Sequence, residues 1–194
     1  MSERLLSLPV CFEDAEHLDE VMSTPDAGLV VDLEAVDGDI MIVGVAGKMG
    51  PTLARMARRA APGRRIIGVA RFSDPGQRTY LETHGIETIA ADLLERSEVA
   101  KLPRSPNVIF MAGRKFGSAG AEHLTWAMNA HVPALVAEHF RDSRIVAYST
   151  ICVYPFAPVI HSGSLETDIV APPGEYAMSC IARERIFQYF SEKH

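Results

Sequence analysis

From Ile40 onward, apolar residues follow two alternating patterns along the chain. Five short runs are rich in apolar residues, and most of them are nearly continuous, which predicts strands covered on both faces of a sheet. These predicted strands are residues 40–45, 65–70, 87–91, 107–112 and 144–149. Helices are predicted between them by apolar residues at helical spacing (Leu53, Met56, Ala57 and Ala60), over about 119–140, and from about Glu175 to the end. Strands and helices in alternation predict an α/β fold, a Rossmann-type doubly wound parallel sheet with helices on both faces.

The first 39 residues lie outside this alternation. Residues 12–22 have the pattern of an amphipathic helix that presents Leu18, Val21 and Met22, and Pro25 ends it. Residues 1–39 hold eleven Asp and Glu and only Arg4, a balance of −10, whereas the remainder carries +4. We predict an N-terminal acidic extension over residues 1–39. Its preferred interpretation is a solvated helix face, and the alternative is that it docks on the basic part of the same chain.

Composition excludes several classes of function. With 194 residues, 47% hydrophobic and 23% charged, the chain is long enough for one globular domain. No apolar run approaches the roughly 20 residues that span a bilayer, so we expect no membrane partner. The basic residues lack interleaved aromatics, so we expect no nucleic acid partner. Cys11, Cys152 and Cys180 form no CxxC pair, and the histidines are scattered; we expect reduced thiols, no metal and a cytoplasmic location.

Three glycines follow the first predicted strand and lead directly into a helix. In "GVAGKMG" these are Gly44, Gly47 and Gly50, with Lys48 and Met49 between them. Glycine permits the tight turn and lets backbone N–H groups approach a pyrophosphate, which the start of a helix also attracts. The segment therefore predicts a dinucleotide site, and a plain turn is the alternative.

The cofactor can be read from the residues around the second predicted strand. An NAD enzyme usually places an acid about 20 residues after the first glycine. From Pro51 to Ser73 there is no Asp or Glu, and there are six arginines. Arg71 and Ser73 follow the strand, where a guanidinium would match a 2′-phosphate. We therefore predict NADP in preference to NAD, the alternative being that these arginines coat the surface.

Four further segments follow the glycine turn in a fixed order. They are "AADL" (90–93), "IFMAG" (109–113), "STICVYP" (149–155) and "YAMSCIARE" (176–184). With the spacing GxxGxxG, they resemble motifs of the extended short-chain dehydrogenase/reductase superfamily, also called the NAD-dependent epimerase/dehydratase family. The resemblance implies an NAD(P)-binding Rossmann domain over residues 40–194. It implies that Asp92 contacts the adenine and that Leu93, Ala112 and Gly113 also belong to the cofactor site.

The resemblance also implies a reaction centre at Thr150, Tyr176 and Cys180. Thr150 would hydrogen-bond a substrate oxygen, and Tyr176 would move a proton while hydride moves at the nicotinamide. A phenol titrates near 10 unless a cation stabilises its phenolate. The family supplies that cation from a lysine at the position of Cys180, and a neutral thiol cannot replace it. Arg183, at i+7 from Tyr176, is a candidate cation whose distance from the phenol the sequence leaves open.

A proline within the predicted helix 119–140 bears on the proton path. Pro133 has no N–H for the carbonyl of Asn129. In the superfamily a comparable asparagine orders a water in a relay to the lysine, so the resemblance implies that Asn129 belongs to the cofactor site. A simple helix kink is an alternative of equal weight.

Two functions from different classes are open. The first is an NAD(P)-dependent oxidoreductase or epimerase/dehydratase that acts on a nucleotide-sugar-like or small hydroxyl or carbonyl substrate. The second is a catalytically weak NAD(P)-binding sensor or regulatory protein. Cys180 favours the second, as does the short chain, because family members continue into a C-terminal substrate domain. We expect a small-molecule partner, and a homodimer is compatible with the resemblance.

Overall fold

The computed structural model describes residues 9–160 and 162–194. In chain order its elements are α1 (Ala15–Met22), α2 (Ala27–Glu34), β1 (Ile40–Val43), α3 (Gly50–Ala60), β2 (Ile66–Ala70), α4 (Pro75–Thr83), β3 (Glu87–Ala90), α5 (Arg96–Val99), β4 (Asn107–Phe110), α6 (Glu122–Trp126), α7 (Val132–His139), β5 (Arg144–Ala147) and α8 (Glu175–Lys193). All five predicted strands are confirmed, each shorter than predicted. Helices α2, α4 and α5 were not predicted.

The chain divides into two compact units. The first contains the described residues up to Ala91 together with Pro103–Met111. The second contains Asp92–Leu102 and Ala112–His194. The predicted boundary between an extension (1–39) and a cofactor domain (40–194) is a different division and stays a prediction.

Four parallel strands form the sheet of the first unit, in the order β3-β2-β1-β4. On one side β1 pairs with β2, and on the other with β4, so that Ile40 is opposite both Ile66 and Asn107. The chain therefore steps outward from β1 to β3 and then returns to the other side of β1. This reversal defines a doubly wound sheet and creates the crevice where such folds bind ligands. The Rossmann-type prediction is confirmed.

Helix α3 packs against this sheet through small residues. Its buried residues are Gly50, Ala54, Ala57 and Ala60, whereas Leu53 and Met56 are only half-buried. The predicted stripe was therefore wrong at its two largest members. Small side chains let the helix axis lie close to the strands, and the core below holds Ile40, Ile42, Val45 and Ile66.

The preference for a fully solvated acidic extension was wrong for Glu20. Its carboxylate forms ion pairs with Arg55 and Arg59 of α3, the latter at 2.7 Å. The guanidinium of Arg59 also donates to the carbonyl of Glu20 at 3.2 Å and to the hydroxyl of the buried Ser23 at 3.1 Å. Helix α1 thus docks on the basic face of α3, which was the alternative interpretation. Glu16 of the same helix stays exposed.

In the second unit, α8 packs along a continuous helical rod. The rod consists of α6, a π-helical turn (Ala127–His131) and α7, and it confirms the predicted helix 119–140 with slightly narrower bounds. Helix α8 buries Ala177, Ser179, Cys180 and Arg183. Ser179 and Arg183 are polar, so each needs hydrogen-bond partners inside the interface. No helix among the described residues is long and apolar enough to cross a membrane.

Candidate functional site

The glycine turn of the first unit is shaped by two close backbone approaches. Gly44 has φ +90°, a conformation that suits glycine, and its carbonyl accepts from the N–H of Gly47 at 3.2 Å. At Gly50, the first residue of α3, a Cβ would lie 2.0 Å from the carbonyl oxygen of Val45. Only glycine therefore brings the start of the helix this close to the strand. A free helix start beside a bare glycine turn fits the pyrophosphate of a dinucleotide.

Most of the arginines predicted to favour a 2′-phosphate have other partners. Two of the six, both in α3, bind Glu20 as described above. Arg65 pairs with Asp39 at 3.2 Å and with Glu87 at 2.8 Å, and its pKa is raised mainly by the hydrogen bond with Glu87. Arg71 is exposed and makes no ion pair among the described residues. Fewer than six arginines of this unit are therefore available to bind a 2′-phosphate.

A cavity of about 310 Å³ lies at the start of α3. Lys48 lines it together with two carboxylates, Asp19 of α1 and Asp74. Asp74 directly follows Ser73 and caps α4, accepting from the N–H of Gly76 at 2.8 Å. Neither acid was predicted to lie at this site. Asp74 lies one residue beyond the interval that contains no acid, and Asp19 reaches this cavity only because α1 docks on α3.

In the second unit, Tyr176 is the second residue of α8 and is half-buried. The side chains of Thr150 and Cys180 lie beside its hydroxyl and both act on its pKa. Thr150 Oγ1 accepts from the N–H of Cys152 at 3.3 Å. Burial raises the pKa of Tyr176, and the hydrogen bond from Thr150 and the charge of Arg183 lower it without offsetting burial. The phenol is therefore protonated at neutral pH.

Cys180 stands one helical turn after Tyr176 and is completely buried. Burial raises the pKa of its thiol, against the charge of Arg183, which lowers it. A thiol with a raised pKa carries no charge at neutral pH. Cys180 therefore fills the position of the expected lysine without supplying its charge.

The side chain of Asn129 connects three parts of the second unit. It is buried in the π-helical turn, where its Oδ1 accepts from the N–H of Arg114 at 2.8 Å and from Arg183 Nη2 at 2.8 Å. Its Nδ2 donates to the carbonyl of Arg114 and to Ser179 Oγ, both at 2.9 Å. These four hydrogen bonds use the full capacity of the amide. Asn129 therefore fixes Arg183 and Ser179 of α8 to the loop after β4.

The guanidinium of Arg183 is the buried charge at the centre of this unit. Arg183 is only 7% exposed. Its Nη1 donates to the carbonyl of Tyr148 at 2.9 Å, while Nη2 donates to Asn129. A Cβ at Gly113 would lie 2.5 Å from Nη2, so glycine at this position leaves the space that the guanidinium occupies. Burial lowers the pKa of Arg183, which nevertheless stays charged at neutral pH because its ordinary pKa is so high.

Asp92, Leu93 and Ala112 were also predicted to contact the cofactor. They lie at the beginnings of the two chain segments, 92–102 and 112–194, that form the second unit. The Asp92 carboxylate accepts from the N–H of Leu94 at 3.0 Å. Leu93 and Ala112 are buried, at 5% and 6% exposure. Their side chains therefore contribute to packing, and their roles toward a cofactor stay predictions.

A cavity of about 710 Å³ opens beside Tyr176. Part of its wall is apolar, with Ile151, Pro155 and Phe156. Among the residues that the structure describes, its charged lining residues are the carboxylates Glu122 and Glu175, and none is a Lys or Arg. The cavity therefore combines a proton-bearing phenol with space for an organic molecule. Among the described residues, no three His, Cys, Asp or Glu side chains are grouped to hold a metal.

The structure places Thr150 and Cys180 beside the hydroxyl of Tyr176. It also shows that the guanidinium of Arg183 lies against Gly113, a contact that was not predicted. Ser179 was missed, although its place between Tyr176 and Cys180 was a signal. The functional roles of all these residues stay predictions.

Comparisons with known proteins agree with this architecture. The sequence model of the NAD dependent epimerase/dehydratase family matches residues 40–194. No curated protein matches the chain. Similar solved structures include the enzyme WbmG of Bordetella bronchiseptica, in complex with NAD and UDP. It has a TM-score of 0.66 and 18% identity, over 79% of this chain and 50% of that one.

Two further solved structures are epimerases. The ADP-L-glycero-D-manno-heptose-6-epimerase of Helicobacter pylori has a TM-score of 0.71 and 19% identity, over 82% of this chain and 53% of that one. The UDP-glucuronic acid 4-epimerase of Bacillus cereus, in complex with NAD, has a TM-score of 0.62 and 16% identity, over 79% and 52%. At these identities the likeness establishes the fold. This chain spans about half the length of the solved proteins it matches.

Proposed function

Because this chain belongs to the NAD-dependent epimerase/dehydratase family, we propose that it is an NAD(P)-dependent oxidoreductase or epimerase/dehydratase in which Tyr176 moves the proton. Its substrate is a small molecule that carries a hydroxyl or carbonyl group. One observation carries the proposal: Tyr176 lines the cavity of about 710 Å³, and Thr150 lies beside its hydroxyl.

Tyr176 enters the reaction as a neutral acid, because burial raises its pKa above the ordinary value. Against a carbonyl substrate, its O–H bond breaks, the proton goes to the carbonyl oxygen, and a phenolate remains. The hydroxyl of Thr150 then stabilises that phenolate by donating to it. In the opposite direction the phenolate takes the proton of a substrate hydroxyl. A bound NAD(P) supplies the hydride or accepts it.

The glycine turn would hold the pyrophosphate of the cofactor at the start of α3. Arg71, Ser73 and Lys48 would bind a 2′-phosphate, and we retain NADP as the proposed preference with NAD as the alternative. The exposed guanidinium of Arg71 supports NADP. The carboxylates of Asp19 and Asp74 beside Lys48 favour NAD, since they would repel a phosphate.

The lining of the larger cavity favours an uncharged hydroxyl or carbonyl compound over a nucleotide sugar. A diphosphate would meet Glu122 and Glu175 there and no Lys or Arg side chain in the wall. Apolar residues such as Ile151 and Phe156 suit a carbon skeleton. The UDP bound to the Bordetella enzyme keeps a nucleotide-sugar-like substrate as the second candidate.

A catalytically weak NAD(P)-binding sensor or regulatory protein is the alternative function. The observation that favours it is Cys180, whose uncharged thiol supplies no cation to the phenol and whose hydrogen bond raises the pKa of Tyr176. Such a protein would bind cofactor and transmit its presence without rapid turnover.

Turnover separates the two functions. Cofactor binding is first measured by calorimetry or through the fluorescence of Trp126, the single tryptophan. Panels of uncharged ketones, alcohols and sugar nucleotides are then tested for reduction or oxidation of the cofactor. We expect turnover with an uncharged compound and a loss of about 100-fold or more in Tyr176→Phe. Tyr189→Phe, at an exposed tyrosine of the same helix, is the matched control. Cofactor binding without turnover would favour the sensor.

A further inference from the structure

A buried cation lies one helical turn beyond the position where the family has its lysine. Arg183 follows Tyr176 by about two turns of α8. Side chains of a helix lean toward its N-terminus, so a long arginine reaches back over the preceding turn. The hydrogen bonds agree with this direction, because the amide of Asn129 bonds both Arg183 Nη2 and Ser179 Oγ. The guanidinium is therefore held level with the turn that contains Cys180.

We propose that Arg183 is the positioning residue that provides the cationic environment of Tyr176, in place of a lysine at position 180. The inference rests on the proposed role of Tyr176. Arg183 touches neither substrate nor cofactor in this scheme. It acts through the charge that its guanidinium holds in the interior, fixed by hydrogen bonds to Asn129 and to the carbonyl of Tyr148.

Three observations show that the position is built for this charge. Both terminal nitrogens of the guanidinium have acceptors at 2.8 and 2.9 Å. The neighbouring Gly113 leaves space that a Cβ would take. The acceptors in these two hydrogen bonds are an amide and a backbone carbonyl, and they orient the guanidinium.

Few charged groups compete with Arg183 at the phenol. Lys115 Nζ lies 5.9 Å from the ring centroid of Tyr176, but Lys115 is exposed and therefore screened by water. Cys180 and Cys152 are thiols. Glu184 interacts electrostatically with Arg183 and with Cys180, and its carboxylate accepts from the hydroxyl of Ser149. The charge of Arg183 lowers the pKa of Tyr176, which is the direction that a lysine would give.

The test removes or relocates the positive charge of Arg183 by substitution and measures the titration of the Tyr176 phenol. Arg183→Gln keeps a hydrogen-bond donor toward Asn129 and removes the charge, whereas Arg183→Lys keeps the charge. The double variant Cys180→Lys with Arg183→Gln returns a cation at the family position. Arg185→Met, at an exposed arginine of the same helix, is the matched control. Tyrosines labelled with carbon-13 at Cζ report each phenol by NMR, and Tyr176→Phe assigns the signal among five.

We expect Arg183→Gln to move the Tyr176 titration to higher pH, with Arg183→Lys and Arg185→Met near the native protein. The double variant should move it back to lower pH. Equal titrations in Arg183→Gln and the native protein would overturn the proposal, as would a double variant that stays at the Arg183→Gln value. If Arg183→Gln does not fold, Gly113→Ala decides, because it displaces the guanidinium: a Tyr176 titration that moves to higher pH supports the proposal, and an unchanged titration overturns it. The readout needs no turnover, so a protein without enzymatic activity would refute the proposed function and leave this inference standing.

Discussion

Gly113 lies so close to the guanidinium of Arg183 that a side chain at position 113 would displace the guanidinium. A Cβ at position 113 would lie 2.5 Å from Arg183 Nη2 and 3.1 Å from Asn129 Oδ1. The backbone of one segment thus controls the position of a buried charge on α8.

Gly113→Ala should therefore displace the guanidinium and break its bond to Asn129. We expect a loss of about 1–3 kcal/mol in the free energy of unfolding, since overpacking and a broken buried hydrogen bond act together. The titration of Tyr176 should also move to higher pH. Gly63→Ala is the control, because nothing lies within 4 Å of its Cβ position. Denaturant unfolding with matched m-values measures the difference, and equal losses in the two variants would contradict it.

Strands β1, β2 and β4 were predictable because each is an almost continuous apolar run that is buried in the sheet. Strands β3 and β5 are partly exposed. Helix α4 was missed for the opposite reason. Its sequence is mostly polar, and Leu81 is its one buried residue. The cap at Asp74 with Pro75 behind it was a usable signal for its start.

Only those residues of the candidate site that belong to recognised sequence motifs were predictable. Thr150 and Tyr176 belong to segments that resemble a known family, so their proximity followed from the fold. The contact between Arg183 and Asn129 could not be predicted from the sequence. Asn129 lies 54 residues earlier, and its approach depends on how α8 packs on the π-helical turn. The stripe on α3 was wrong for a similar reason, since close packing favoured Ala54 over the larger Leu53.

The glycine turn gives a prediction that separates stability from cofactor binding. A Cβ at Gly50 would lie 2.0 Å from the oxygen of Val45, whereas one at Gly47 would lie 3.4 Å from the oxygen of Gly44, an ordinary contact. Gly50→Ala should cost about 1–3 kcal/mol of unfolding free energy, because backbone has to move. Gly47→Ala should unfold near the native midpoint and weaken NAD(P) binding, since a methyl group added to the turn would hinder the close approach of a phosphate to its backbone. Equal stability of the two variants, measured by denaturant titration, would be inconsistent with the turn.

The docking of α1 should contribute modestly to stability. Glu20→Gln removes the charge that pairs with Arg55 and Arg59, whose side chains are 14% and 32% exposed. We expect a loss of about 0.5–1 kcal/mol at low salt, decreasing as salt screens the pairs. Glu16→Gln, at an exposed acid of the same helix, should change little. A loss that persists at high salt would point to packing rather than charge.

The proposed acid should give opposite pH profiles in the two directions of reaction. Burial raises the pKa of Tyr176, so the phenol stays protonated through neutral pH and deprotonates only above the ordinary value near 10. Carbonyl reduction should be level through neutrality and decline at high pH, while hydroxyl oxidation should rise toward high pH. Cys180→Lys should shift both profiles to lower pH. The measurement is kcat against pH in each direction, and a break near neutrality in the native enzyme would assign the proton to another group.

Cofactor preference depends on which charges surround the end of β2. Arg71→Ala should weaken NADPH binding about tenfold and leave NADH nearly unchanged, because only NADPH carries the phosphate that a guanidinium binds. Asp19→Asn should act in the opposite sense and strengthen NADPH, since it removes a carboxylate from the cavity that contains Lys48. Arg78→Ala, at an exposed arginine paired with Glu82 on α4, controls for a general loss of positive charge. Calorimetric titration of each variant with both cofactors measures the two affinities. Equal affinities for NADPH and NADH that do not change in Arg71→Ala would contradict the NADP preference. The acids beside Lys48 would then determine the cofactor preference, and NAD would be the cofactor.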